Sequence, residues 1–159
     1  MAPGDSGAVV EVVDQTEKFR LLSATASFNA WAGFDVVRVV EGECDLRLGW
    51  RGDDMGQCAG FLHAGVIAAL LDTACGFAAA AIVGSVLSSH FSMDCLAPGV
   101  GDVFVAKGRV VKAGRKQIFT SGELYAHRAG CSKLIATANT ILVPTDVAIE
   151  LDRPIGAVS

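Results

Sequence analysis

Apolar and polar positions alternate strictly between residues 43 and 50. Cys44, Leu46, Leu48 and Trp50 fall on one side, and Glu43, Asp45 and Arg47 on the other. A period of two is the mark of a strand with one buried face. The same pattern, less strict, starts at Phe34, and Glu41-Gly42 supplies a turn between two strands. Further on, 86–98 reads as a strand closed by Pro98-Gly99, and 102–113, 116–126 and 132–144 as three more. The first two of these join at Ala113-Gly114-Arg115, a short hairpin signal, and the next pair across residues 127–131. Two stretches break the period. Residues 14–32 open on Asp14 with Glu17 close behind, which predicts a helix. Residues 62–82 are almost wholly apolar and rich in Ala and Gly, which predicts a second, longer helix after a polar loop over 51–60.

The predicted architecture is α+β: a helix, two strands, a long apolar helix and a meander of about four strands. A helix apolar on nearly every side must be enclosed, so the sheet is expected to wrap around it. One sheet does not easily enclose such a helix, so a dimer at least is expected. Residues 1–13 read as a leader, 14–144 as one domain and 145–159 as a surface tail.

Composition narrows the function. The chain has 159 residues, 52% hydrophobic and 19% charged, enough for one domain with a real core. A net charge of −4 argues against a nucleic-acid partner but leaves room for a small anion held by a local basic cluster. Five widely spaced cysteines without a CxxC pair suit reduced thiols and a cytoplasmic location. The start lacks the basic and apolar regions of a secretion signal. The long apolar helix has the length of a membrane span, but it carries Asp72, and the amphipathic strands around it favour a core helix over membrane insertion.

Asp72 is the conspicuous residue. A carboxylate in an apolar segment requires a partner, solvent or a task. His63 sits nine residues earlier, about half a turn off and about 13 Å away along a helix axis. The two therefore make no pair within one chain, and a site that uses both must draw on two. Gly60, Ala64 and Gly65 keep the helix start bare. First-turn N–H groups there lack intrahelical partners and sit at the positive end of the helix dipole, where they can hold a developing oxyanion. Gln57 can orient a ligand or water, and Asp72 can serve as base or nucleophile.

The stretch from Gln57 to Ala80, "QCAGFLHAGVIAALLDTACGFAAA", resembles the signature of hotdog-fold acyl-CoA thioesterases of the phenylacetate-degradation (PaaI) type. The family pattern is roughly N-x-x-G-x-x-H-G-G, six residues, then D. Gln57, Gly60, His63, Ala64, Gly65 and Asp72 occupy the matching places, and the likeness runs over about 30–143. The resemblance implies a hotdog fold, five to six antiparallel strands around one central helix, assembled as a homodimer or homotetramer. It implies that Asp72 is the base or nucleophile in a site shared between subunits. It implies that the Ala64 N–H faces the thioester carbonyl, with His63 and Gln57 holding that turn. Ser88, or its neighbour Ser89, matches a position where a hydroxyl helps place the attacking water. Lys112, Arg115 and Lys116 cluster at a hairpin and can meet CoA phosphates in this fold. No metal or redox cofactor is implied; CoA belongs to the substrate. Ala64 in place of the first Gly of H-G-G, and Gln57 in place of Asn, depart from the pattern.

Other readings stay open at this point. Asp72 can be a structural carboxylate, His63 a simple helix cap, and the hairpin cations a solvated turn. Cys58 has no surroundings that would activate a thiolate, and His63, His90 and His127 lack metal-ligand spacing. The functional rivals are a non-catalytic acyl-CoA-binding or regulatory protein and a hotdog hydratase.

Overall fold

The structure, a computed structural model, describes residues 13–147. The leader expected over 1–13, apart from Val13, and the tail expected beyond Val147 lie outside the described residues. The elements are α1 (Thr16–Thr25), α2 (Ser27–Ala32), β1 (Asp35–Val40), β2 (Glu43–Gly49), α3 (Ala64–Val83), β3 (Val86–Cys95), β4 (Val103–Ala113), β5 (Ile118–Arg128) and β6 (Cys131–Pro144). All six strands form one antiparallel sheet in the order β1-β2-β4-β5-β6-β3. The sheet curls around α3, the expected hotdog arrangement.

The alternation in β2 is realised: Cys44, Leu46 and Leu48 are buried. Trp50 falls just past the strand, half-buried. Gly42 turns the β1–β2 hairpin at φ 77°, a left-handed conformation that favours glycine. The single helix expected over 14–32 is two helices. Gln15 is the cap of α1, and Asp14, one position before it, accepts from the Thr16 N–H at 2.9 Å. Ala26 then leaves helical geometry (φ −83°, ψ 108°) and α2 begins, ending on left-handed Gly33. The break lets α1 lie back along β1, where the Gln15 N–H donates to the Val39 carbonyl and the Val39 N–H to Thr16 Oγ1.

α3 starts two residues later than the pattern predicts, because Leu62 bridges to Gly56 and His63 is the cap. By length and composition α3 could cross a bilayer. In this fold, eight of its residues, Val66 to Ala79, are buried against the sheet. Part of its remaining surface is covered within the chain. Phe19 of α1 packs on Phe77 at 5.1 Å between ring centroids, and the Gln15 amide donates to the Ala81 carbonyl. Ala68, Ala69, Asp72 and Gly76 are left half-buried.

Small residues set how closely helix and sheet approach. Cys44, Gly108, Gly122 and Ala138 are successive cross-strand partners, so they form one row across β2, β4, β5 and β6. A Cβ on Gly108 would stand 2.4 Å from the Ala74 carbonyl carbon and oxygen, and one on Gly122 3.0 Å from Leu71 Cδ2. α3 thus rests directly on strand backbone. In Gly108→Ala the obstacle is helix backbone, so α3 must lift. We expect a loss of about 3 kcal/mol out of a typical 5–15. That is roughly 10 °C in the thermal midpoint followed by circular dichroism. An unchanged midpoint would show that the contact tolerates a methyl group.

Candidate active site

The start of α3 is held by hydrogen bonds from the residues around it. The His63 N–H donates to the Met55 carbonyl and the Leu62 N–H to the Gly99 carbonyl, both at 2.9 Å. Gly99 is buried, and a Cβ there would lie 2.8 Å from Leu62 Cβ, so only glycine fits. Gln57 organises the loop before the helix: its carbonyl accepts from the Gly60 N–H, its N–H donates to the Phe61 carbonyl, and its side-chain oxygen accepts from the Ala59 N–H. Gly60 sits at φ 78° in the same turn.

His63 caps the helix. Its Nδ1 accepts from the Gly65 N–H at 2.9 Å, which puts the proton of the neutral ring on Nε2. Its carbonyl accepts from the Val66 and Ile67 N–H groups. Of the first four helical amides, three are therefore satisfied inside the chain. The Ala64 N–H donates to no described residue. It lies at the positive end of a 20-residue helix, beside a groove of about 380 Å³ lined by Phe61, Ile67, Leu96, Ala97 and Pro98, with Gln57 at its rim. A single unengaged donor at a helix start, next to an apolar groove, can polarise a carbonyl whose apolar substituent lies in that groove.

Asp72 is eight residues further on, about 12 Å along the axis. It is half-buried, and its Oδ1 accepts from Ser88 Oγ on β3 at 2.7 Å. No described cation pairs with it. The carboxylate in the apolar helix thus has a hydroxyl partner and access to solvent. Behind it Cys75 is buried. Burial pushes this thiol up, the neighbouring Thr120 and Thr140 hydroxyls pull it down, and the Asp72 charge adds to the rise. Cys44 is pushed up by burial as well. Cys58, Cys95 and Cys131 are exposed, and all five thiols are free.

The expected site residues fall into groups. Gln57, His63, Ala64 and Gly65 gather at the helix start, and Asp72 and Ser88 at mid-helix. Ser89 is the extra residue of a β-bulge, and its hydroxyl donates to the Ile141 carbonyl. Lys112, Arg115 and Lys116 are exposed around the β4–β5 hairpin, beyond the C-terminal turns of α3, where Ala79 packs on Ile118. One chain does not bring these groups together. Sequence reasoning passed over Gly99, whose close approach to Leu62 seats the helix start, and Leu96, which lines the groove. The Pro-Gly pair after β3 was the signal available for Gly99.

Comparison with known proteins agrees with this geometry. Residues 59–130 match the profile of the Thioesterase superfamily. A crystal structure of a thioesterase family protein from Silicibacter pomeroyi is 30% identical, with a TM-score of 0.75 over 81% of this chain and 95% of that one. The E. coli PaaI protein from the phenylacetic acid degradation operon shares the fold at 19% identity and a TM-score of 0.71, over 82% of this chain and 91% of its own. A thioesterase from Haemophilus influenzae does so at 18% and 0.71, over 80% and 88%. No curated protein sequence matches the chain. Matched by the superfamily profile over its middle, and spanning almost end to end a 30% identical thioesterase family protein, this chain belongs to the thioesterase superfamily, whose chemistry is the hydrolysis of acyl thioesters.

Proposed function

We propose that this protein is a PaaI-type acyl-CoA thioesterase whose site is completed by a second copy of the chain. The observation that carries this reading is the unengaged Ala64 N–H beside an apolar groove, about 12 Å from Asp72 on the same helix. Neither half suffices alone. A two-fold assembly that sets the helix start of one copy against Asp72 of another joins them twice.

The thioester carbonyl oxygen accepts from the Ala64 N–H, and the acyl group lies along Phe61, Ile67 and Leu96. Asp72 of the second copy takes a proton from water as the water oxygen attacks the carbonyl carbon. Ser88 Oγ has its proton committed to Asp72 and so keeps lone pairs that can accept from that water. The tetrahedral oxyanion forms on the Ala64 N–H. The carbon–sulfur bond then breaks, and the leaving CoA thiolate recovers the proton, giving the free acid and CoA. The steps call for no metal or redox cofactor. The free thiols suit a reducing cytoplasm.

The test is chromatographic measurement of free CoA released from short, long and aromatic acyl-CoAs, a readout that five thiols do not disturb. Turnover of at least one substrate is expected. Tight binding of every ester with no release would make the protein a binding module, with the Ala64 methyl group in the way of the carbonyl.

A further inference from the structure

We infer that the Ala64 methyl group is a specificity filter: it confines the site to thioesters whose acyl α-carbon carries no branch. The inference rests on the thioesterase reading above and names the class of acyl group that the site accepts.

The filter follows from stereochemistry. Ala64 is the first residue of α3, so its backbone is helical. At a helical φ, about −60°, the Cα–Cβ bond eclipses the N–H bond. A carbonyl oxygen that accepts from the Ala64 N–H at about 2.9 Å therefore sits about 3.5 Å from the Ala64 Cβ. Whatever the donor holds, the methyl group touches. Ala64 lines the groove together with Ile67, one turn along the same face. The acyl α-carbon, bonded to the held carbonyl on the groove side, is the next atom to meet the methyl group. A CH2 fits against it. A second carbon there must displace the methyl group, the helix start or the opposite wall.

These parts are pinned. The opposite wall is Leu96, Ala97 and Pro98. The Leu96 and Ala97 N–H groups both donate to the Ile135 carbonyl of β6, at 2.8 and 3.2 Å, and the Val100 N–H to the Pro98 carbonyl at 2.9 Å. The two walls are also tied to each other, through the Leu62 N–H and the Gly99 carbonyl and through the close contact of those two residues. The groove therefore cannot widen beside Ala64, and a rigid slot rejects an extra methyl group. The fold does not dictate the side chain at 64. A Cβ at Gly65 would stand 3.1 Å from His63 Nδ1 and press on the cap, so that position stays bare. The Ala64 side chain is exposed, and its methyl group is free to act on what enters the groove.

The experiment compares isomeric acyl-CoAs, pentanoyl, 3-methylbutanoyl and 2-methylbutanoyl, for the wild type, Ala64→Gly and Ala64→Val. The isomers contain the same atoms, so only the position of the branch differs. We expect the wild type to prefer the two esters with a CH2 at the α-carbon. The preference for 3-methylbutanoyl over 2-methylbutanoyl, read as the ratio of kcat/KM, should fall about tenfold in Ala64→Gly and rise in Ala64→Val, the scale on which a pocket reads one methyl group. Comparing that ratio between variants cancels the intrinsic reactivity of the esters. A ratio that Ala64→Gly leaves alone overturns the inference. So does equal slowing of both esters, which would mean that the methyl group serves only the helix. If the wild type cleaves no thioester, the thioesterase reading fails by itself. Equilibrium dialysis of ketone analogues of the two branched esters, with a methylene group in place of sulfur, then decides the filter, as it does for an inactive variant. Tighter binding of the 3-methyl analogue by the wild type, levelled in Ala64→Gly, upholds it. Equal binding of both analogues by the wild type, or binding of neither, overturns it.

Discussion

Asp72→Asn is expected to fold normally and to release CoA about a thousandfold more slowly than the wild type, the scale of a lost general base. Asn keeps the shape of Asp and an Oδ1 that still accepts from Ser88, so the contact to β3 survives. Asp72 is half-buried and has no described ion-pair partner, so neutralising it strands no buried charge. Thermal stability should therefore move by no more than about 0.5 kcal/mol. The two readouts separate the roles. A large loss of turnover at constant melting temperature assigns Asp72 to the chemistry. A melting temperature that falls together with activity would assign it to the structure. Turnover within tenfold of wild type would leave it no proton to move.

What could be read in the sequence divides by range. The strands were legible because alternation is local: Cys44, Leu46 and Leu48 declare their face within five residues. The loop-and-cap half of the site was legible for the same reason. Gln57, Gly60, His63 and Gly65 sit within nine positions, and their hydrogen bonds run mostly among themselves and their neighbours. Gly108 and Gly122 were not legible. By local preference they are poor strand residues, and only α3, more than thirty positions away, explains them: its backbone at Ala74 for Gly108, and the Leu71 and Cys75 side chains for Gly122. The break between α1 and α2 carries no proline or glycine, because it follows from α1 docking on β1. Ser88 and Ser89 were equal candidates for the hydroxyl that places water until a bulge turned one to Asp72 and the other to the Ile141 carbonyl, a pairing no local pattern announces.

The largest expected consequence of the two-copy site is a rescue. Ala64→Pro removes one hydrogen-bond donor and little else. Position 64 is the first residue of α3, where proline is favoured and the missing N–H costs no helical bond. His63 before it is already extended, at φ −64° and ψ 135°, as a residue preceding proline prefers. The side chain at 64 is exposed, so the ring has room. The variant should melt like the wild type and lose about 100- to 1000-fold in kcat, the effect of deleting one oxyanion donor. Asp72→Asn chains are equally inactive on their own. When the two variants are co-expressed and assemble at random as dimers, half of the dimers contain one chain of each. In such a dimer the Asp72→Asn chain supplies an intact Ala64 N–H, and the Ala64→Pro chain supplies an intact carboxylate. One of its two sites is then whole, and the mixture should recover about a quarter of wild-type activity. If donor and carboxylate acted within one chain, every site in the mixture would carry a lesion, and no activity would return.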